Sequence, residues 1–414
     1  MGWAASARAQ AFYIQEQSVR GQGRAFSGEA ADTGVDSMWW NPAAIGGTQG
    51  VDAALNASAI LPRGEVVDTG STIARPFQPA APVGGNGVIH NPIRNGIVPS
   101  GAIAVGRGRI AVGLAITAPY NFTTNYDDNS FTRYTAGHTS LRTIDIQPSI
   151  AFMPTANVSI GAGVNVEHVS ASLGNFLPNF SAALPDGQET LEGKGWDVGW
   201  SAGVQYRTPV VELGLAYKSS IRHNINGMVT VSGLLFPLGS GNMATATSAS
   251  FRTPWQAIGS MRLHVGPGVT LDAQITRQGW SNFDQITLGA PLGTAIPENY
   301  RDITTWAIGA DYELTRRLVW RVGLQHGDTP TQNGLRDARV PDANRWNIST
   351  GTSYSVSHRL TLDGAFSFVS FNDAPISRPE AAYAGTLLQT GIYPNGYIKD
   401  AYALVASVGG RIHF

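Results

Sequence analysis

From residue 51 onward, apolar and polar residues alternate singly over long segments of the chain. In AYALVASVGGRIHF at the C-terminus, Tyr402, Leu404, Ala406, Val408, Ile412 and Phe414 hold the even positions, while Ser407, Gly409, Arg411 and His413 hold odd ones. A period of two predicts a strand with one apolar and one polar face, because successive side chains point to opposite sides. Between 196 and 207 the same split sets Trp196, Val198, Trp200, Ala202, Val204 and Tyr206 against Asp197, Gly199, Ser201, Gly203, Gln205 and Arg207. Segments 157–168, 211–218 and 318–326 repeat it.

A soluble sandwich with its apolar faces inward and a membrane barrel with them outward both alternate in this way. The polar faces separate the two: they carry Gly, Ser, Asn, Gln and single charges, not the dense Lys and Glu cover of a water-facing sheet. Length agrees, since about nine to eleven tilted residues cross the apolar layer and most of these segments reach that. Very short turns join the segments in pairs, at Gly106-Arg107-Gly108, Pro154-Thr155-Ala156, Arg207-Thr208-Pro209, Gly266-Pro267-Gly268, Leu314-Thr315-Arg316 and around His358-Arg359. Long stretches at 67–99, 120–139, 170–195, 224–250, 278–301, 327–344 and 373–400 separate the pairs. Six short turns alternating with seven long loops is the asymmetry of an outer-membrane barrel. The prediction is an all-β fold, a 14-stranded antiparallel transmembrane β-barrel over 51–414. Its strands lie near 51–66, 98–106, 109–119, 140–153, 157–169, 196–207, 210–223, 250–265, 269–280, 302–313, 317–327, 344–357, 360–372 and 401–414. Only closure satisfies every edge backbone group in hydrocarbon, which excludes an open sheet. Trp196, Trp200, Trp280, Trp306, Trp320, Trp346, Tyr354, Tyr402 and Phe414 are expected, as a group, to meet the membrane interfaces.

Residues 10–50 do not alternate, and a stretch of about 40 residues is too short to bury a core of its own. A fourteen-stranded barrel has a bore too wide for side chains alone to fill. The segment is therefore predicted to fold inside the lumen as an N-terminal hatch, or plug. Ahead of it, MGWAASARA ends in Ala7-Arg8-Ala9, the small-x-small pattern of a signal-peptidase site, so 1–9 reads as the tail of a signal peptide.

Composition narrows function. Charged residues are 14% of the 414, against about 25% in a soluble domain, leaving few charges to cover a wet surface. With 28 basic and 29 acidic residues the chain has no electrostatic footprint of a nucleic-acid binder. Zero Cys removes thiol chemistry, disulfides and Cys-held metal. No apolar run is long enough for a membrane-spanning helix.

Within the hatch, Gly21-Gln22-Gly23-Arg24-Ala25-Phe26-Ser27-Gly28-Glu29-Ala30 followed by Asn41-Pro42-Ala43 resembles the hatch signature of the FadL family of outer-membrane long-chain fatty-acid transporters, which includes aromatic-hydrocarbon uptake proteins of TodX type. Gln10-Ala11-Phe12 resembles the mature start of such proteins, and Ala118-Pro119-Tyr120-Asn121-Phe122-Thr123-Thr124-Asn125-Tyr126 the end of their third strand. The resemblance implies a monomer whose hatch blocks the lumen. It also implies capture of an apolar small molecule between outer loops, an internal pocket beside the hatch, and passive exit sideways through a gap at a kink in the third strand. Carried onto this chain, the hatch signature is Gly21, Gly23, Arg24, Ser27, Gly28, Glu29, Asn41 and Pro42, and the gate falls at Gly113 and Pro119. Phe12, Tyr13 and Ile14 are candidates for the pocket, or simply anchor the segment; Arg24 and Glu29 are expected to tie the hatch to the wall. Basic residues for a carboxylate do not match one to one, so fatty acid and other apolar substrates both stay open. Outer-membrane lipid and lipopolysaccharide are the expected surroundings, with assembly machinery reading the aromatic terminus, Phe414.

Gly199-Trp200-Ser201-Ala202-Gly203 spells GxSxG but lies within an alternating strand segment and not on a strand-to-helix turn. No HExxH or P-loop occurs, and His90, His138, His168, His223, His264, His326, His358 and His413 form no i, i+4 pair, so no enzyme, cofactor or metal is expected. Asp127, Asp128 and Asp373 read as solvated loop charges rather than calcium ligands. Two rival functions share the barrel: a diffusion porin for polar solutes, and a structural or receptor barrel. The long segment before the first strand favours the plugged uptake channel, since porins narrow their bore with an inward loop.

Overall fold

A computed structural model describes residues 12–414; the predicted signal-peptide tail, Gln10 and Ala11 lie outside them. Fourteen antiparallel strands form the wall. They are β1 (Gly50–Asp68), β2 (Gly96–Arg107), β3 (Ile110–Thr117, resuming at Asn121–Asn125), β4 (His138–Thr155), β5 (Val158–Leu177) and β6 (Gly187–Arg207). The next are β7 (Val211–Lys218 and Arg222–Ser232), β8 (Met243–Arg252 and Gln256–Gly266), β9 (Val269–Gln278) and β10 (Ile303–Thr315). The last four are β11 (Leu318–Gly327), β12 (Arg345–Ser355), β13 (Leu360–Phe371) and β14 (Gly396–His413). Each pairs with its sequence neighbour, and β1 closes on β14 from Asp52↔His413 to Asp68↔Gly396.

The barrel is inside-out relative to a soluble protein. Outward residues such as Leu215, Ile275, Ile308 and Val408 are exposed, whereas inward Asn165, Ser201, Gln205 and Ser407 are buried against the lumen contents. That is the arrangement the alternation predicts, because lipid takes the role that a core plays elsewhere.

Several strands run further than the pattern indicates. Pairing of β5 with β6 continues to Leu177↔Gly187, and that of β7 with β8 to Val231↔Met243. Much of the predicted loops 170–195 and 224–250 is therefore hairpin. Alternation fades there because above the membrane both faces of a strand are hydrated, and nothing forces one of them to be apolar. Loop segments Thr72–Ala74, Ala81–Pro82, Glu380–Ala382 and Thr390–Tyr393 add a small four-stranded sheet at the outer end. Trp280 corrects the aromatic assignment. It is 0% exposed and packs inside against Phe12, Phe283 and Tyr300, because the chain leaves β9 at Gln278 and turns inward. The other eight aromatics of that group lie on the outer surface.

Ile308, midway along β10 and 52% exposed, tests the lipid-facing surface. Ile308→Arg is expected to cost about 2–4 kcal/mol in urea unfolding from lipid vesicles, as a cation does at the bilayer midplane. A loss below about 0.5 kcal/mol, the level of an ordinary surface change, would place this face away from lipid.

Candidate functional site: hatch, apolar pocket and a gap in the wall

Residues 12–49 fill the bore. Local chemistry sets their turns. Ser18 Oγ accepts from Gly21 N at 3.0 Å and caps the short helix α1 (Val19–Gly23). Asn41 Oδ1 accepts from Ala43 N at 3.0 Å, with Pro42 opening the turn Pro42–Ile45, which explains Asn-Pro-Ala physically: a cap followed by a residue with no N–H to lose. Gly28 has φ +89°, a conformation that favours glycine. A Cβ on Gly21 would lie 2.6 Å from Glu29 Oε1, so Gly21 is required by the carboxylate folded over it. The wall reciprocates. Side chains at Gly161, Gly203, Gly214, Gly309 and Gly323 would collide with Ala43, Asn41, Ala30, Ser27 and Arg24 respectively. Many glycines on the polar faces are thus sockets for the hatch backbone.

Charge fixes it in place. Arg24 is fully buried, with Nη2 2.5 Å from both Glu29 Oε1 and Asp32 Oδ2, and Nη1 3.5 Å from Asp311 Oδ2 on β10. Arg262 on β8 reaches Asp32 Oδ1 at 2.5 Å, Asp311 at 3.0 Å and Asp272 on β9 at 3.1 Å; Arg411 on β14 lies 3.3 Å from Asp36. Burial raises the Asp32 carboxyl, but Arg20, Arg24 and Arg262 outweigh it and hold the group well below the usual carboxylate range. Burial wins at Glu29, whose carboxyl is raised despite Arg24. Glu29 keeps its side chain within the hatch and meets the wall through its backbone, N donating to Gln274 Oε1 at 2.8 Å.

Beside the hatch lies a narrow apolar pocket of 80 Å³, lined by Phe12, Phe122, Leu141, Leu173, Leu191, Ile225, Phe251 and Phe283. One end is charged by Glu298, Asp337 and Arg339. There Arg339 Nη1 lies 3.0 Å from Glu380 and 3.5 Å from Asp337, while Arg378 Nη1 lies 3.0 Å from Asp337 and 3.3 Å from Glu298. A second cavity of 400 Å³ is lined by Phe12, Tyr13, Ile14, Ile97, Val98, Asn121, Phe122 and Val340. Phe12, Phe122 and Val340 border both, and the rings of Phe12 and Phe122 stack at 5.7 Å. They are the partition between the two spaces.

The second cavity sits where the wall is incomplete. β3 pairs with β2 from Ile110↔Arg107 to Ile116↔Gly101 and then breaks over Ala118, Pro119 and Tyr120. Residues 96–100 of β2 pair with β1 and with no residue of β3, and Asn121 and Phe122 pair with β4 and with no residue of β2. Contact resumes above, at the bridge Ile93↔Thr124 and with Asn125 N donating to Pro92 O at 2.9 Å. At the break the hatch stands in for the missing strand: Ile14 N donates to Pro119 O (2.8 Å), Asn121 N to Phe12 O (3.3 Å) and Ala118 N to Gln17 Oε1 (3.0 Å). Gln17 Nε2 donates back to Ala118 O at 3.1 Å, and Ser100 Oγ to Gln17 O at 2.9 Å. Of the two residues carried over as a gate, Pro119 is at the break. Gly113 instead lies in unbroken pairing with Ala104 and Ser149, where a Cβ would press on Met38 and Ile45. Gln17 and Ser100 carry no signal in sequence, since only the proline after Ala118 marks the interruption.

Two outcomes follow from this geometry. Arg24→Met strands Glu29 and takes one of three guanidiniums from Asp32, and is expected to cost about 3–5 kcal/mol of hatch stability, read as faster amide exchange over 18–40 with wall amides unchanged. Unaltered exchange would refute the anchoring role. At the pocket's charged end, burial and then the neighbouring Asp337 push the Glu298 carboxyl up to about 8, against Arg378. A raised carboxyl stabilises the folded loops fully below its ordinary value of 4.5, and that contribution is lost as pH rises through about 8. Amide protection around 296–300 should fall across that range in the native protein and stay flat in Glu298→Gln.

The sequence profile described as outer membrane protein transport protein (OMPP1/FadL/TodX) matches residues 2–408. A long-chain fatty acid transport protein of Escherichia coli is 26% identical over 421 aligned positions, covering 90% of each chain, and outer membrane protein P1 of Haemophilus influenzae is 24% identical over 88% of this chain and 87% of its own. Among solved structures, a Pseudomonas aeruginosa FadL homologue superposes with a TM-score of 0.84 at 23% identity, over 97% of this chain and 99% of that one. The Pseudomonas putida toluene transporter TodX superposes with a TM-score of 0.70 at 15% identity, over 98% and 100%. At these identities the superpositions speak to the fold, while the profile spans nearly the whole chain: the protein belongs to the OMPP1/FadL/TodX family of outer-membrane transport proteins.

Proposed function

We propose that the protein carries apolar small molecules passively across the polar face of the outer membrane and releases them sideways, through the gap between β2 and β3. The observation that carries this reading is the shared partition. Phe12 of the hatch and Phe122 of the wall separate an inner apolar pocket from a cavity that ends where β2 loses its neighbour. Phe12, Phe122 and Val340 are the side chains a solute would displace to pass from one space to the other. Energetics favour such a route. Each methylene leaving water for an apolar lining gains about 0.8 kcal/mol, and a path ending in the membrane keeps that gain. A diffusion porin is the weaker reading, because residues 12–49 occupy the bore that polar solutes would use.

Relatives are named for long-chain fatty acid transport and for toluene transport. In this chain the charged end of the pocket sets Asp337 and Glu380, with Glu298 held protonated below about pH 8, against two guanidiniums, Arg339 and Arg378, all engaged with one another. A ligand carboxylate would enter as a further anion, so an uncharged polar end suits the pocket better.

The native chain has no Cys, which makes a reversible closure test clean. Ile97→Cys with Asn121→Cys, joined by a reducible cross-linker, should abolish uptake of labelled dodecanol into vesicles. Reduction should restore it, and the same pair of changes at the paired positions Ile103 and Leu114 should be without effect. Uptake that persists with the gap bridged would mean exit into the periplasm.

A further inference from the structure

The gap poses a problem of its own. Backbone groups along the open side of 96–100 have no strand beside them at the place where the wall should exclude lipid, and an unpaired edge in hydrocarbon is costly. Immediately above stand two arginines. Arg94 precedes the exposed Ile97, and Arg142 lies two residues beyond the exposed Ile144 toward the outer end of β4, so each sits about 7–10 Å above the last apolar residue facing lipid. Both line the 400 Å³ cavity. Neither side chain has a carboxylate or hydrogen-bond partner among the described residues. The acids of that cavity have other arginines: Glu16 feels Arg345, and Asp342 feels Arg336. Positive charge is therefore in surplus at the mouth, above a floor of Ile97, Val98 and Phe122.

We propose that Arg94 and Arg142 dock the phosphate of an outer-leaflet lipid, whose acyl chains lie over the gap and seal it when no solute is leaving. Three features agree on this occupant. Guanidiniums bind phosphate with two parallel hydrogen bonds, and long basic side chains at this height hold their heads in the interfacial layer. An acyl chain covers the exposed Ile97. The anionic head also meets the surplus of positive charge at the mouth, which a hydrocarbon solute cannot do. The acid-rich end of the inner pocket makes the opposite demand, so the two spaces differ in the ligand end they accept.

The site is tested with the full-length protein in detergent by native mass spectrometry, with diphosphoryl lipid A, its dephosphorylated form and dodecanoate as probes. The native protein should retain the diphosphoryl form. Arg94→Gln/Arg142→Gln should weaken retention by about tenfold or more, the loss of a charge-assisted bond, with unboiled gel mobility unchanged. Arg277→Gln, at an exposed arginine already paired with Asp302 on β9 and the chain before β10, should leave it as it was. Equal retention by the double variant, or equal retention of the dephosphorylated lipid, would overturn the proposal. Displacement of the lipid by dodecanoate with the same arginine dependence would overturn it too, by making an anionic solute the occupant. None of these outcomes depends on uptake, so the seal and the transport reading fail separately.

Discussion

Everything in the bore depends on the ion network around Arg24, Asp32 and Arg262. Burying so many charges is expensive, and the cost is offset because the carboxylate at the centre, Asp32, meets three guanidiniums, those of Arg20, Arg24 and Arg262, at 2.5–3.0 Å. The network bridges the hatch to β8, β9, β10 and β14. With the hatch held there, its first residues run toward β3. The position of Phe12, and hence the partition between the two cavities, follows from an anchor on the opposite part of the wall.

Glycine is the complement of that anchor. A lumen face carrying side chains at every inward position would hold the hatch backbone away from the wall and put the ion pairs out of reach. Gly214 and Gly323 let Ala30 and Arg24 approach the strands directly, and Asn41 fits its side chain over Gly203. The same faces that look merely small and polar in sequence are shaped to a particular occupant.

The wall and the hatch also share one set of hydrogen bonds. At Ala118–Tyr120 the barrel gives up β2–β3 pairing, and residues 12–17 take over the orphaned groups. An opening in the wall and a plug in the bore are thereby one structural device.

What the sequence determined by itself was the barrel. Single alternation, sparse charge and the short-turn, long-loop rhythm place the strands within a few residues, since lipid on one side and a filled lumen on the other dictate each position separately. The ends of β5, β6, β7 and β8 escaped because that dictation stops above the membrane. Gly21 to Ala30 and Asn41 to Ala43 marked the hatch, yet no local pattern told that Arg24 would meet Asp311, some 290 positions away, or that Trp280 would turn inward. Only the tertiary structure decided these, together with the pairing of Gln17 to Ala118, because they join segments that become neighbours only when the barrel has closed around the hatch.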